Sequence, residues 1–125
     1  MSAPRPGVRT VRRPASAVAA DAERQGASVV LLGSAASKAE VLGALAEALE
    51  FPGWVGRNWD ALADALGDLS WLPLGPKVVV WTGADALRSA EPAVYETALQ
   101  VLRDGARRST VSGRPLTVLL ASDDS

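Results

Sequence analysis

Apolar positions along this chain fall into two patterns, short unbroken runs and stripes at helical spacing. The unbroken runs are Ser28–Leu32 (SVVLL), 78–81 (VVVW) and 116–120 (LTVLL). Such runs, bounded by glycine or proline, predict fully buried strands of a covered sheet. The stripes are Val41, Leu42, Leu45 and Leu49, then Trp59, Leu62, Ala63, Leu66 and Leu69, then Val94, Tyr95, Ala98, Val101 and Leu102. Each predicts an amphipathic helix, and each has a start signal: the Ser37/Glu40 capping box, Asn58 as a cap, and Glu91-Pro92. An earlier helix runs from Pro14, at its first position, to about Gln25, with Gly26 as a left-handed stop. Residues 51–57 (FPGWVGR) form a loop presenting Trp54 and Val55, and 82–90 is a connection with room for a short helical turn.

The resulting order, α-β-α-α-β-α-β, predicts an α/β fold with a small three-stranded parallel sheet covered by helices. Residues 14–121 make one domain, 1–13 a flexible basic arm without periodicity, and 122–125 a frayed tail.

Composition narrows the chemistry. The 125 residues, 48% of them apolar, suit one domain. Cysteine and histidine are both absent, which removes thiol nucleophiles, disulfides, zinc sites built on Cys or His, and imidazole proton shuttles. The longest aliphatic stretch spans only 29–32, and residues 1–20 lack a continuous apolar core, so a cytoplasmic protein with no membrane partner is expected. A net charge of −1 conceals an asymmetry, +3 over residues 1–28 and −5 over 38–104. An acidic middle argues against direct nucleic-acid binding and for a basic macromolecule, the plain alternative being a solvated surface.

Asp60, Asp64 and Asp68 stand at i, i+4 and i+8, one row on a regular helix. Asp60 gains from the helix N-terminus, whereas the other two repel with no such return. The row reads as a solvated helix face, as a surface for a cationic partner, or as catalytic or metal-binding carboxylates. The third reading lacks an enclosing cleft and any accompanying Lys, His or Tyr cluster. Gly53 and Gly56 do not form a phosphate loop, because the Lys and Ser/Thr of that motif are missing. Trp59 and Trp81 read as core residues. Trp54, on a glycine-flanked loop before the acidic helix, reads equally as core or as an interface anchor. Trp71 either flanks the same surface or plugs the base of the core.

The stretch Phe51-Pro-Gly-Trp-Val-Gly-Arg-Asn-Trp-Asp-Ala-Leu-Ala-Asp-Ala-Leu resembles the signature of the barstar family, intracellular inhibitors of the secreted ribonuclease barnase. The strand before Trp81, the segment 99–104 (LQVLRD) and the closing strand LTVLL continue the resemblance in order, over roughly residues 29–121. In that family the loop and the helix after it fill the enzyme's active site, with carboxylates where RNA phosphates would lie. Position by position, the resemblance makes Asp64 the central carboxylate, Asp60 a contact in the same groove and Asp104 a further acidic contact. It makes Trp54 a loop aromatic packed on the enzyme, Asn58 a loop polar contact and Gly56 a keeper of loop shape. Ala63 replaces a large aromatic, Arg57 replaces an acid beside the row, and Asp68-Leu69-Ser70 lengthens the helix end. The first 27 residues have no counterpart in barstar.

The expectation is an inhibitor and not an enzyme, without metal or cofactor, monomeric in a 1:1 complex. Its partner would be a basic extracellular-type ribonuclease or related nuclease toxin. The surface expected to bind it comprises Trp54, Val55, Gly56, Asn58, Asp60, Ala63, Asp64, Asp68, Trp71 and Asp104. The alternative is a protein-interaction domain of the same fold with a non-ribonuclease partner.

Overall fold

A computed structural model describes residues 5–122. The elements follow the order β1 (Gly7–Pro14), α1 (Ala15–Arg24), β2 (Ser28–Leu32), α2 (Lys38–Ala48), α3 (Trp59–Asp68), β3 (Lys77–Thr82), α4 (Ala84–Ala90), α5 (Pro92–Ser109) and β4 (Leu116–Ser122). All strand pairs are parallel and the sheet order is β1-β4-β3-β2.

The sheet therefore has four strands where three are expected, and the element order is β-α-β-α-α-β-α-α-β. Residues Gly7 to Arg13, expected as a flexible arm, belong to β1, which pairs along β4 from Gly7↔Thr117 to Val11↔Ala121. Val8 packs on one face of the sheet and Val11 on the other, so this strand, too, feeds both cores. Its arginines hide the pattern, yet charge on an outer strand is a common guard against further pairing. Thr117 Oγ1 donates to the Arg5 carbonyl at 2.9 Å, which carries the contact back to Arg5. Ser122, placed in the tail by sequence, ends β4, and 123–125 lie outside the described residues, as do 1–4.

Helix boundaries follow local chemistry. Pro14 stands just before α1 with extended ψ rather than as its first helical residue. At the other end Ala27 N donates to Ala22 O (3.1 Å) and Gly26 N to Glu23 O (3.0 Å), with Gly26 at φ 91°. This is the expected left-handed stop. Ser37 Oγ accepts from Glu40 N, while the Glu40 carboxylate accepts from Ala36 N instead of Ser37 N. The connection after β3 is the two-turn helix α4, whose Leu87 is fully buried.

Strand side chains divide two cores between the faces. Val78, Val80 and Leu119 meet Val18, Ala22 and Ala27 from α1 and its exit. Val79, Trp81, Leu116 and Val118 meet residues from α2 (Leu45), α3 (Leu62, Leu66), α4 (Leu87) and α5 (Leu102). Arg13 pairs with Asp21 and so ties β1 to α1, and Arg24 joins the same carboxylate. Hydrogen bonding from Arg13, reinforced by both positive charges, holds Asp21 below the usual carboxylate range. β2, expected to be fully buried, is an edge strand with Leu31 62% exposed. An unbroken apolar run cannot by itself distinguish the two positions.

Candidate functional site

The loop between α2 and α3 starts with a backward bend. Leu49 ends α2, Glu50 takes φ 56°, and Phe51 N donates to Ala46 O at 2.8 Å. The chain thus leaves the helix in a six-to-one closure with Glu in the position usually held by Gly. Val55 N then donates to Pro52 O at 3.0 Å, a turn that holds Trp54 outward, 74% exposed.

Exposure does not leave Trp54 unsupported. Its ring meets Trp71 edge-on at 6.0 Å between centroids, and Trp71 meets Phe51 edge-on at 5.7 Å. The Trp71 indole N–H donates to Leu49 O at 2.9 Å, which fixes the middle ring to the end of α2. Edge-to-face pairs at these distances each stabilise by about 0.5–1.5 kcal/mol. Trp71 thus stands half-buried between Phe51 and the exposed Trp54. Trp59 is half-buried against the core with Lys38 Nζ 5.5 Å from its ring centroid, and Trp81 is fully buried.

Asn58 caps α3, its Oδ1 accepting from Ala61 N at 2.8 Å. A Cβ at Gly56 would lie 3.1 Å from Asn58 Nδ2 and 3.5 Å from Ala61 Cβ, so a side chain there would press on the cap. Loop shape and helix start are in this way one device. Asp60, Asp64 and Asp68 are all exposed along α3, and Asp68 accepts from Ser70 Oγ at 2.9 Å. Leu69 closes the helix in a left-handed conformation while fully buried.

Asp104 stands on α5, which packs tightly on α3. A Cβ on Gly105 would fall 2.5 Å from Leu66 Cβ, and one on Gly67 would fall 3.2 Å from Arg108 Cβ. The two glycines let the helices approach closely, and Arg108 reaches across to α3. Asp104, part-buried, pairs with Arg107. Arg108 Nη2 donates to Ala63 O at 2.8 Å, and its Nη1 lies 3.8 Å from Asp64 Oδ1, a carboxylate 84% exposed.

Sequence reasoning missed Arg107 and Arg108. The first was signalled by its i, i+3 spacing from Asp104, whereas the second acts across helices and left no local signal. Arg57, expected beside the acidic row, instead lies along α2, where a Cβ on Gly43 would be 3.3 Å from its Nη1. Asp60 and Asp68 have no ion-pair partner among the described residues. The ten expected surface residues therefore stand on the 54–71 segment and on α5. Trp54 is braced by Trp71, Gly56 and Asn58 fix the start of α3, and Asp64 and Ala63 share Arg108.

The geometry offers fixed negative charge beside an exposed aromatic on a rigid support. It provides attraction and shape without a covalent nucleophile or an enclosed pair of carboxylates. No described helix is long and apolar enough to cross a membrane.

Among known proteins, the family model Barstar, described as barnase inhibitor, matches residues 27–121. No curated protein matches the chain significantly. The matched span takes in the aromatic loop, the acidic helix, α5 and three of the four strands. It leaves β1 and α1 outside, and on the strength of its extent the chain belongs to the barstar family.

Proposed function

We propose that the protein inhibits a basic ribonuclease or related nuclease toxin by occupying its active site, in the cytoplasm of the cell that makes the enzyme. The observation that carries this is the exposed row Asp60, Asp64 and Asp68 on α3, set beside Trp54 and its Trp71 brace. Family membership supports the class of partner. Carboxylates held at fixed places mimic the phosphates of RNA, steer a cationic enzyme at long range and occupy the pocket on arrival. Trp54 supplies apolar contact that survives salt, whereas the charge component weakens as salt screens it. The protein itself performs no reaction, acts as a monomer and binds one enzyme molecule.

Asp64 enters this complex already near one cation. At 3.8 Å and high exposure its contact with Arg108 is weak, so an incoming cationic cluster displaces Arg108 with little loss. Arg108 remains anchored through the Ala63 carbonyl.

A non-ribonuclease partner is favoured by one specific observation. Arg108 covers Ala63 and Arg107 pairs with Asp104, so the face mixes cations with its carboxylates.

Titration into barnase-type and other basic bacterial ribonucleases, read as RNA cleavage against molar ratio, separates the readings. Stoichiometric loss of cleavage is expected, with Asp64→Ala weakening the complex by about 2–5 kcal/mol, a range that the barnase–barstar pair itself helps to define. A folded sample that inhibits none of these enzymes would favour the second reading. Inhibition unaltered by Asp64→Ala would remove Asp64 from the site.

A further inference from the structure

A concave site lies at the carboxyl ends of the strands, separate from the acidic surface. Its volume is about 790 Å³, within the range of small-molecule sites. The chain's route creates it. After β1 the chain turns into α1 on one face, and after β3 it turns into α4 on the other, with β4 ending between these departures. In open parallel sheets ligands settle where connections diverge in this way.

The charges of this crevice are predominantly positive. Arg12 and Arg13 form the β1 wall, and Arg88 with Asp85 the α4 wall. Arg13 is engaged by Asp21, Arg88 is 4.0 Å from Asp85, and Arg12 has no ion-pair partner among the described residues. Tyr95 of α5 also lines the space. It is 9% exposed and adds a phenol to the lining. Guanidinium walls with a phenol beside them favour an anionic occupant that also carries hydroxyls. Thr10 and Ser34 add further hydroxyls.

We propose that this crevice binds a sugar phosphate, free or within a nucleotide. Arg12 and Arg88 supply the cations, because guanidinium groups match phosphate oxygens in a two-point fork. Tyr95, Thr10 and Ser34 suit the hydroxyls of the sugar. The β1 wall precedes the matched span 27–121, so this site is built in part by the chain's N-terminal addition. It stands independently of the nuclease-binding reading.

Calorimetric titration of the full chain with inorganic phosphate, ribose 5-phosphate and adenosine 5′-monophosphate tests it. Ribose 5-phosphate is expected to bind about tenfold tighter than inorganic phosphate, and Arg12→Gln to weaken it by about tenfold or more, as loss of a charge-assisted hydrogen bond implies. Tyr95→Phe is expected to weaken it several-fold, and Asp64→Ala to leave it unchanged. Arg12 lies at the exposed end of an edge strand and Tyr95→Phe removes one oxygen, so both variants keep the fold, which circular dichroism checks. Tighter binding of the nucleotide than of ribose 5-phosphate identifies the nucleotide as the occupant, and equal binding the free sugar phosphate. Absence of binding by all three probes overturns the proposal. So does phosphate binding as well as the sugar phosphates, or affinities indifferent to Arg12→Gln and Tyr95→Phe.

Discussion

Replacing Gly105 by alanine tests the packing that brings α5 to the acidic helix. The added Cβ would lie 2.5 Å from Leu66 Cβ and 3.0 Å from its Cδ1, whereas carbon atoms rest at about 3.5–4.0 Å. Leu66 cannot rotate its Cβ away, so α3 and α5 must separate by roughly 1 Å at this crossing. Overpacking of this kind costs about 1–3 kcal/mol, and the gain in helix propensity returns up to about 1 kcal/mol. The expected net loss is about 1–2 kcal/mol, read as a lower urea midpoint with unchanged slope. For a domain of this size that corresponds to a fall in Tm of about 4–8 °C. Gly43→Ala is the internal control. Its Cβ meets only the mobile end of Arg57, at 3.3 Å, so the same substitution in α2 is expected to stabilise by about 0.5–1 kcal/mol. Stabilisation by both alanines would refute the close crossing, and with it the placement of Arg108 against α3.

Asn58→Ala removes the cap of α3 and is expected to cost about 1 kcal/mol in chemical denaturation, with faster amide exchange in the first helical turn around Asp60. Arg108→Ala is expected to change stability by less than about 1 kcal/mol, since its ion pair is exposed, and to speed association with a basic nuclease at low salt by baring Asp64. Lys77 is 5% exposed, and burial, with Arg114 nearby, lowers its pKa from the ordinary 10.5. Between the lowered folded value and 10.5 the unfolded chain holds more protons, so stability rises with pH in that window. Lys77→Met is expected to abolish this rise and to raise Tm at neutral pH, which thermal melts across alkaline pH would check.

What the sequence disclosed was chiefly what neighbouring residues decide. The caps at Ser37 and Asn58, the stop at Gly26 and the row of aspartates depend on contacts within a turn or two. β1 was hidden because Arg9, Arg12 and Arg13 suppress the apolar signal of a strand whose partner lies at the far end of the chain. The edge position of β2 was hidden because Val29, Val30 and Leu31 read alike in a central or an outer strand. At the site, the exposure of Trp54 and the acidic row were legible, whereas the Trp71 brace and the Arg108 contact depend on elements that fold together from a distance.

Pairing between the first strand and the last also sets an order of events during synthesis. β1 emerges before the other described strands, and its sheet neighbour emerges after roughly 100 further residues, about 5 to 20 s later at ordinary translation rates. In that interval a strand of ordinary apolar composition would invite pairing with other nascent chains. The arginines and Pro14 of β1 act as gatekeepers while it waits. The composition that conceals the strand from pattern reading is thus suited to its long delay before docking, and closure of the sheet by β1 is expected among the last steps of folding.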